Sequence, residues 1–441
     1  MNPKTYMFRT FGCQMNEHDT EIMEGILNEL GYSPTVEEQQ ADLIIFNTCS
    51  VRENADNKVF GEIGRMKHLK RQNPNMLLAL CGCMAQQQPV VDKILRSYSQ
   101  VDMVFGTHNI HKLPDIIEQA ILSKETVVDV WQTEGEVVEN LPRVRRDGLK
   151  AWVTIMYGCN NFCTYCIVPH TRGRERSRSA ENILKELQDL KDLGYKEVML
   201  LGQNVNSYGN DLEEGIDFPE LLEKIDAIGI PRIRFMTSHP KDFNEKLTNV
   251  IKNGKHLCEH IHLPFQAGSD EVLKRMNRKH TRDWYLEKID MIKKIIPNVS
   301  LSTDIIVGFP DETEEQFDKT LDIVKQVEFD LAYTFIYSPR EGTPAANLID
   351  SINQTDKKRR LQALIETQNE ISKKKNLAYL DTIVEVLVEG YSKTNAEKLT
   401  GRTRTNKVVN FSGDDKLIGE FVNVKIEHAK TWSLEGVLVD V

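Results

Sequence analysis

No run of this 441-residue chain approaches the ~18–20 uninterrupted apolar residues of a membrane helix, so no spanning segment and no membrane partner is expected. Internal repeats of solenoid length and low-complexity segments are also missing, which excludes a stacked-repeat architecture. An excess of positive charge is lacking too. Lys and Arg number 56 against 66 Asp and Glu, a net charge of −10, which weighs against a nucleic-acid partner unless positive charge is concentrated locally. The opening MNPKTYMFRTFGC has no long apolar run and no small-residue cleavage site. It reads as a first strand, and a cytoplasmic location is expected. Thiols stay reduced there, so the eight cysteines are not expected to form a disulfide framework. Their positions matter more than their number.

At roughly 150 residues per domain, the length suggests about three domains, and the hydrophobic patterning agrees. Residues 5–13, 42–49, 76–83 and 101–106 are apolar strand candidates. Between them lie helical patterns, such as 18–32 with Ile22, Ile26 and Leu30 on one face and Gly31 as a stop. Near-continuous apolar strands alternating with helices predict a parallel sheet covered on both faces. Residues 133–150 are polar, with one proline and basic residues, and read as a linker. Alternation then restarts with six strand candidates, at 151–159, 197–203, 232–238, 260–266, 299–310 and 331–338. Six βα units fall short of the eight of a full barrel and predict an open partial barrel. A polar helix over 356–380 leads out. Period-two alternation at 382–391, 407–411, 420–429 and 434–441 predicts a small β-barrel. The overall class is α/β, with domains at 1–132, 151–375 and 376–441 and the linker at 133–150.

Cys159, Cys163 and Cys166 form a C-x3-C-x2-C run directly after a strand. Three thiolates so close on one loop can converge on one metal centre. Zinc would want a fourth Cys or His, for which His170 is the nearby candidate. A [4Fe–4S] cluster normally takes four cysteines, so three leave one iron open to a ligand. Cys13, Cys49 and Cys83 lie 36 and 34 residues apart, each just after an apolar strand. The carboxyl ends of parallel strands share one edge, where ligands bind, so these three should be neighbours in space. The alternative is three buried strand-end thiols, since free Cys is often core. Cys81, two residues before Cys83, would share its face on a strand and compete as a ligand, though the GCMAQ run favours Cys83. Cys258 reads as core.

The C-x3-C-x2-C loop, with an aromatic before its last cysteine and set in the first βα loop of a partial barrel, resembles the radical S-adenosylmethionine (SAM) enzymes. Adding three separated N-terminal cysteines and a small C-terminal barrel, the whole chain resembles the radical SAM methylthiotransferases, whose tail barrel is a TRAM domain, an RNA-binding module. TFGCQMNEHDTE around Cys13 is similar to the MiaB-type tRNA methylthiotransferases, as are NTCSVRENADNKVFGEIG, PHTRGRERSRS, LPFQAGSDEVLKRMNRKHT, DIIVGFPDETEEQF, YSPREGTPAA and GRTRTNKVVNF. The ribosomal-protein S12 branch would read Pro-Lys-Asn after the first cysteine, and the threonylcarbamoyladenosine branch usually Lys-Val-Asn.

The resemblance implies two [4Fe–4S] clusters. Cys159, Cys163 and Cys166 would hold the SAM-cleaving one, and Cys13, Cys49 and Cys83 an auxiliary one that supplies sulfur. It implies SAM as cofactor and tRNA with isopentenyladenosine in the anticodon stem-loop as substrate. The product would be 2-methylthio-N6-isopentenyladenosine at position 37, made by a monomer served by a low-potential electron donor. An adenine C2–H offers no acid–base handle at neutral pH, so a radical is the sensible tool. Tyr165 would line the adenine side of SAM or pack under the cluster. Gln203, Ser238, Gln266 and Arg278, polar residues at strand ends or the next helix, are candidates for the other SAM contacts. Gly308-Phe309-Pro310 would either approach the adenine or simply turn the chain.

For RNA, residues 142–178 carry eight basic residues against two acids. Arg172, Arg174, Arg176 and Arg178 alternate there, so on an extended chain they would project from one face. Residues 393–407 carry five basic residues, including Arg402, Arg404 and Lys407, against Glu397. Such patches suit phosphates, or are solvated charged loops. Phe411 is read either as a base-stacking residue or as core. Rival readings are the threonylcarbamoyladenosine branch, the more distant S12 branch with its protein substrate, and a non-catalytic iron–sulfur RNA-binding protein. The last would need a broken cysteine motif, and this one is intact.

Overall fold

A computed structural model describes residues 3–50, 53–131, 133, 135, 137–213 and 215–439, with side chains described outside 53–57. Parts of several sequence readings therefore lie outside the described residues: positions 1 and 2 of the opening, 51 and 52 of the NTCSVRENADNKVFGEIG run, the domain edge at 132, linker positions 134 and 136, and the last two residues of the tail strand.

The N-terminal segment builds a six-stranded sheet, all pairs parallel, with Thr5–Thr10, Leu43–Thr48 and Leu77–Gly82 at its centre. Leu43–Thr48 and Leu77–Gly82 are buried at every position, as strands covered on both faces must be. Two strands escaped the sequence reading, Ser33–Pro34 and Val127–Asp129. They are two and three residues long, too short for a periodic signal. The first helix also begins earlier than the pattern suggests. It spans Gln14–Glu29, so Cys13 is its N-cap.

The central segment forms two three-stranded parallel sheets. Lys150–Thr154, Glu197–Leu201 and Arg232–Phe235 make one; His260–His262, Ser300–Val307 and Leu331–Ile336 make the other. A parallel bridge between Ile233 and Leu257 joins the halves into a six-stranded partial barrel. One large core binds strands to outer helices. The tail folds as a closed five-stranded barrel around Val386, Leu399, Val409, Phe411 and Val424. Its second strand, Asn395–Arg402, was not expected. The run NAEKLTGR is largely exposed and polar in its first half, so it shows no apolar alternation. Phe411 is fully buried in this core, so it is not a base-stacking residue.

The tail barrel seats on the amino ends of the central strands. Arg234 donates to the carbonyls of Thr403 (2.7 Å) and Arg404 (2.8 Å) while pairing with Glu197 at 2.8 Å. Lys407 is buried and reaches Asp330 at 2.7 Å and Asn376 at 2.9 Å. Arg404 pairs with Glu259 at 2.7 Å. Arg402 pairs with Glu389 at 3.4 Å. The basic patch read for RNA at Arg402, Arg404 and Lys407 is thus largely spent on the seam between domains. Charge counting within a short window cannot see Asp330 or Glu259, which lie far outside it in sequence.

The linker is likewise not a solvated strap. Arg143, Arg145 and Arg178 converge on Glu186, while Arg145 also pairs with Glu21 at 2.8 Å and Arg146 with Glu24 at 2.7 Å. Burial opposes ionisation of Glu186, but the arginines outweigh it and hold the carboxyl at about 2.

Candidate active site

Cys13, Cys49 and Cys83 each follow the carboxyl end of neighbouring strands, and the structure brings them together. Gly12 turns with φ +129°, and a Cβ there would lie 2.3 Å from the Cys49 Cβ, so only glycine permits this approach. The Cys13 thiol is drawn down to about 6, first by its hydrogen bond with Cys49. Burial opposes this, while Arg172 and the backbone of Asn16 and Met15 assist it. Cys49 and Cys83 are buried, whereas Cys13 is exposed. Asn16 locks the strand ends: its amide donates to Asn47 Oδ1 (3.0 Å) and the Thr48 carbonyl (3.1 Å), and Asn47 returns a bond to the Asn16 carbonyl at 2.8 Å. Cys81 does not compete as a ligand. Gly82 has φ +90°, which breaks the strand, and the Cys81 sulfur lies 3.9 Å from Met23 Sδ in the core. Cys258 is buried at the tail seam.

The second set lies in the loop after Lys150–Thr154. Cys159 and Cys163 are buried and Cys166 is half-buried. Gly158, with φ +75°, lets the loop touch the Arg174 carbonyl, and the Cys159 amide donates to the Gly173 carbonyl at 3.1 Å. Thr164 ties the loop to the Arg275 carbonyl (2.8 Å), and Asn277 donates to the Phe162 carbonyl (2.8 Å). Burial pushes the Cys159 thiol up to about 11 and the Cys166 thiol up to about 12. Buried thiols of this kind become thiolates at neutral pH when a cation binds them. Among the described residues, no three Cys, His, Asp or Glu side chains converge tightly enough for a single metal ion. An iron–sulfur cluster makes no such demand, because each thiolate takes a different iron.

Around this loop sits a set of buried polar atoms without hydrogen-bond partners: Ser238 Oγ, His239 Nε2, Gln266 Oε1, Arg278 Nε and both His280 ring nitrogens. The His239 and His280 rings are 6.0 Å apart. Arg278 donates to the Pro264 carbonyl at 2.8 Å and lies 3.5 Å from Cys163 Sγ. Gln266 is held at φ +70° by its bridge to Ile305. Unpaired polar groups in a dry interior are costly, and a ligand with amino, carboxylate and purine groups would satisfy them. The residues therefore fit SAM. The sequence singled out Ser238, Gln266 and Arg278 but missed His239 and His280. Both stand within two residues of a named candidate, and that proximity was the signal. The Gln203 side-chain oxygen accepts from the Gly158 amide and braces the cysteine loop. Tyr165 is half-buried against Ala267, Met276, Phe309 and Tyr337. Phe309 is fully buried, and Gly308 donates to Glu312 at 2.7 Å, so this segment makes a turn.

The four alternating arginines do not share one face. Arg172 is buried, 2.6 Å from Asp19, with its Nε 3.3 Å from Cys83 Sγ. Arg178 is buried between Glu139 and Glu186, each at 2.8 Å. Only Arg174 is exposed, over the exposed ring of Phe162 at 5.4 Å, while Arg176 is partly exposed and donates to the Gly135 carbonyl at 3.0 Å. Gly173 turns with φ +75°, which destroys the extended geometry that alternation presumed. Arg172 instead crosses from the SAM-side loop to the other thiol set. His18, 3.2 Å from Thr154, makes a parallel contact. The CQMNEHDTE run is therefore a clamp: Asn16 fixes the strand ends, His18 and Asp19 fix the neighbouring domain, and Glu21 fixes the linker.

An open six-stranded βα barrel, with three thiols in the loop after its first strand and unsatisfied polar groups around them, defines a radical SAM enzyme. Consistent with this, the radical SAM superfamily model matches residues 153–324, a model described as "Uncharacterized protein family UPF0004" matches 5–106, and the TRAM domain matches 377–439. The tRNA-2-methylthio-N(6)-dimethylallyladenosine synthase of Bacillus cytotoxicus is 59% identical over 440 residues, covering 99% of this chain and 86% of that one. That of Anoxybacillus flavithermus is 57% identical, covering 100% and 84%. The chain belongs to this family of synthases. Among solved structures, the radical SAM methyltransferase TsrM from Kitasatospora setae is similar with a TM-score of 0.55 at 12% identity, covering 78% of this chain and 75% of that one. The cobalamin-dependent radical SAM enzyme OxsB gives 0.53 at 14%, covering 84% and 56%. At such identities the likeness concerns the fold alone.

Proposed function

We propose that the chain methylthiolates C2 of N6-dimethylallyladenosine at position 37 of tRNA. The observation that carries this reading is the junction at Arg172, where a side chain from the SAM-side loop touches Cys83 of the second thiol set. That contact ties the loop that carries one three-cysteine set to the other set, as suits a reaction that joins a substrate radical to a sulfur source. The names of the relatives support the substrate. When bound, SAM and two [4Fe–4S] clusters supply a 5′-deoxyadenosyl radical on one side and transferable sulfur on the other.

The chain's own residues do the rest. Cys159, Cys163 and Cys166 hold the SAM-side cluster, and Cys13, Cys49 and Cys83 the auxiliary one. Arg278 offers positive charge to a carboxylate, while Ser238, Gln266, His239 and His280 offer polar contacts to the remainder of SAM. The apolar wall of Ala267, Met276, Phe309 and Tyr337 under Tyr165 excludes water. Exposed Arg174, with Arg176 and Lys393, supplies charge for RNA phosphates. In this reading residues 1–132 carry the sulfur site, 151–375 the SAM site and 376–441 the RNA module, joined by 133–150. The chain works as a cytoplasmic monomer served by a low-potential electron donor. Among the described residues no helix is long and apolar enough to cross a membrane.

The test is anaerobic reconstitution of the full chain with SAM, reductant, sulfide and dimethylallyl-modified tRNA, read by nucleoside mass spectrometry. A methylthio gain is expected. Cys13→Ala should still cleave SAM without transferring sulfur, and Cys159→Ala should lose both activities. A gain only on threonylcarbamoyl-modified tRNA would refute the substrate assignment.

A further inference from the structure

The loop after the strand His260–His262 presses onto the helix Glu314–Val327. Gly268 permits this approach: an added Cβ would lie 2.3 Å from the Lys319 carbonyl, and the Gly268 amide donates to Thr320 Oγ1 at 2.9 Å. Beside the contact is a cleft of about 620 Å³, within the ~300–1,000 Å³ of small-molecule sites. Three helices wall it: Asp270–Arg275, Arg282–Ile295 and Glu314–Val327.

Each helix contributes acid. Asp270 and Glu271 come from the first, Asp283 from the second, and Asp318 and Asp322 from the third. Against these five carboxylates stand two cations, Arg282 and Lys319, so the lining carries a net charge of −3. Arg282 is committed to the wall. Its side chain donates to the Lys319 carbonyl at 2.9 Å and pairs with Asp322, and its amide donates to Asp270 at 2.7 Å. Asp283 and Asp318 are exposed.

Ser269 gives an independent sign of a ligand. It lines the same cleft and is only 1% exposed, yet its hydroxyl has no hydrogen-bond partner. It is the N-cap of Asp270–Arg275, where a serine hydroxyl ordinarily accepts an amide of the first turn, and it makes no such bond. A buried polar atom left in this state is costly. A donor lodged in the cleft would satisfy it.

We propose that this cleft binds a linear oligoamine, a chain of ammonium groups separated by methylenes. The site is separate from methylthiolation and does not depend on it. A primary ammonium offers three donors and no acceptor, which suits the carboxylates and the serine oxygen alike. Among the described residues, no three of these acids converge as a metal ion would require. A polycation with spaced charges meets several of them in turn, while its methylenes lie along the stems of Arg282 and Lys319. The same negative charge repels RNA phosphates, so the cleft is not a nucleic-acid surface.

The test is isothermal titration of the full-length protein, free of RNA, with spermidine. Putrescine and Mg2+ serve as comparison ligands at constant ionic strength. One spermidine per chain is expected, with putrescine weaker because it brings two charges instead of three. Asp283→Asn combined with Asp318→Asn should weaken spermidine binding by roughly three- to thirtyfold. Both positions are exposed, so this variant should melt like wild type. Ser269→Ala should leave the melting temperature without ligand unchanged or higher, and should shrink the rise that spermidine produces. No spermidine binding to wild type, or unchanged affinity in the double variant, overturns the site. So does Mg2+ competing as well as putrescine, or a full spermidine-induced rise in Ser269→Ala.

Discussion

Replacing Arg172 by Met keeps much of the side-chain volume and removes the charge. In the native structure Arg172 is 4% exposed and Asp19 is 2% exposed, with 2.6 Å between guanidinium and carboxylate. Burial raises the Asp19 carboxyl, and Arg172 opposes that rise. Without its partner, Asp19 becomes an uncompensated buried charge. Breaking one side of such a pair costs about 3–5 kcal/mol, or roughly a hundred- to several-thousand-fold in the folding equilibrium at about 1.4 kcal/mol per tenfold. Removing both charges with Asp19→Asn and Arg172→Met should recover much of that loss. Urea unfolding of the apo-protein, run as a double-mutant cycle, measures the coupling. Iron content after reconstitution supplies a second readout. Arg172 also contacts Cys83, so the double variant should regain stability yet still hold auxiliary iron poorly. A loss under about 1 kcal/mol in Arg172→Met, or strict additivity in the cycle, would refute the reasoning, because the pair would then behave like a surface bridge.

Further outcomes follow from other contacts. Gly12→Ala places a Cβ against Cys49 at positive φ, and should abolish auxiliary iron while the SAM-side cluster still forms, as separate electron paramagnetic resonance signals would show. Glu186 is depressed to about 2, below the unfolded value of about 4.3. Its stabilising contribution is complete above the unfolded value and lost as pH falls toward 2, on the order of 3 kcal/mol in all. Glu186→Gln should therefore flatten the acid limb of a stability–pH curve measured by thermal melting. Lys407→Met leaves buried Asp330 with Lys375 alone, and should loosen the tail barrel by about 1–3 kcal/mol. Limited proteolysis near residue 378 would report that loosening.

Much of the architecture was legible because it rests on local signals. Apolar strands such as DLIIFNTC and MLLALCGC announce a buried parallel sheet, and the thiols at their ends fall on one edge by topology alone. What stayed hidden depends on contacts between distant residues. Asp19 and Arg172 are 153 residues apart, and Arg234 reaches the Arg404 carbonyl across 170. Two of the arginines that read as a phosphate-binding stripe, Arg172 and Arg178, are ion-paired in the interior. Backbone events were equally invisible: the positive φ of Gly82 redirects Cys81 into the core, and that of Gly173 breaks the alternation of arginines. The strand Asn395–Arg402 was missed because half of it faces water. The ligand pocket was half read, since strand-end polarity marks Ser238 and Gln266, but nothing in the sequence says that a histidine lacks a partner.

The buried seam beneath the central barrel also sets a scale. Lys407, Arg234 and Arg404 anchor the tail to the amino ends of the strands, while the cysteines lie at the carboxyl ends. The tail is therefore a fixed jaw rather than a tethered arm. It cannot search for RNA by swinging on a linker, and gains no effective concentration from doing so. Under the proposed function the molecule would work as a caliper, accepting an RNA whose stem reaches one jaw while its loop reaches the other. Lengthening or shortening that stem by a few base pairs should matter as much as the chemistry of the base.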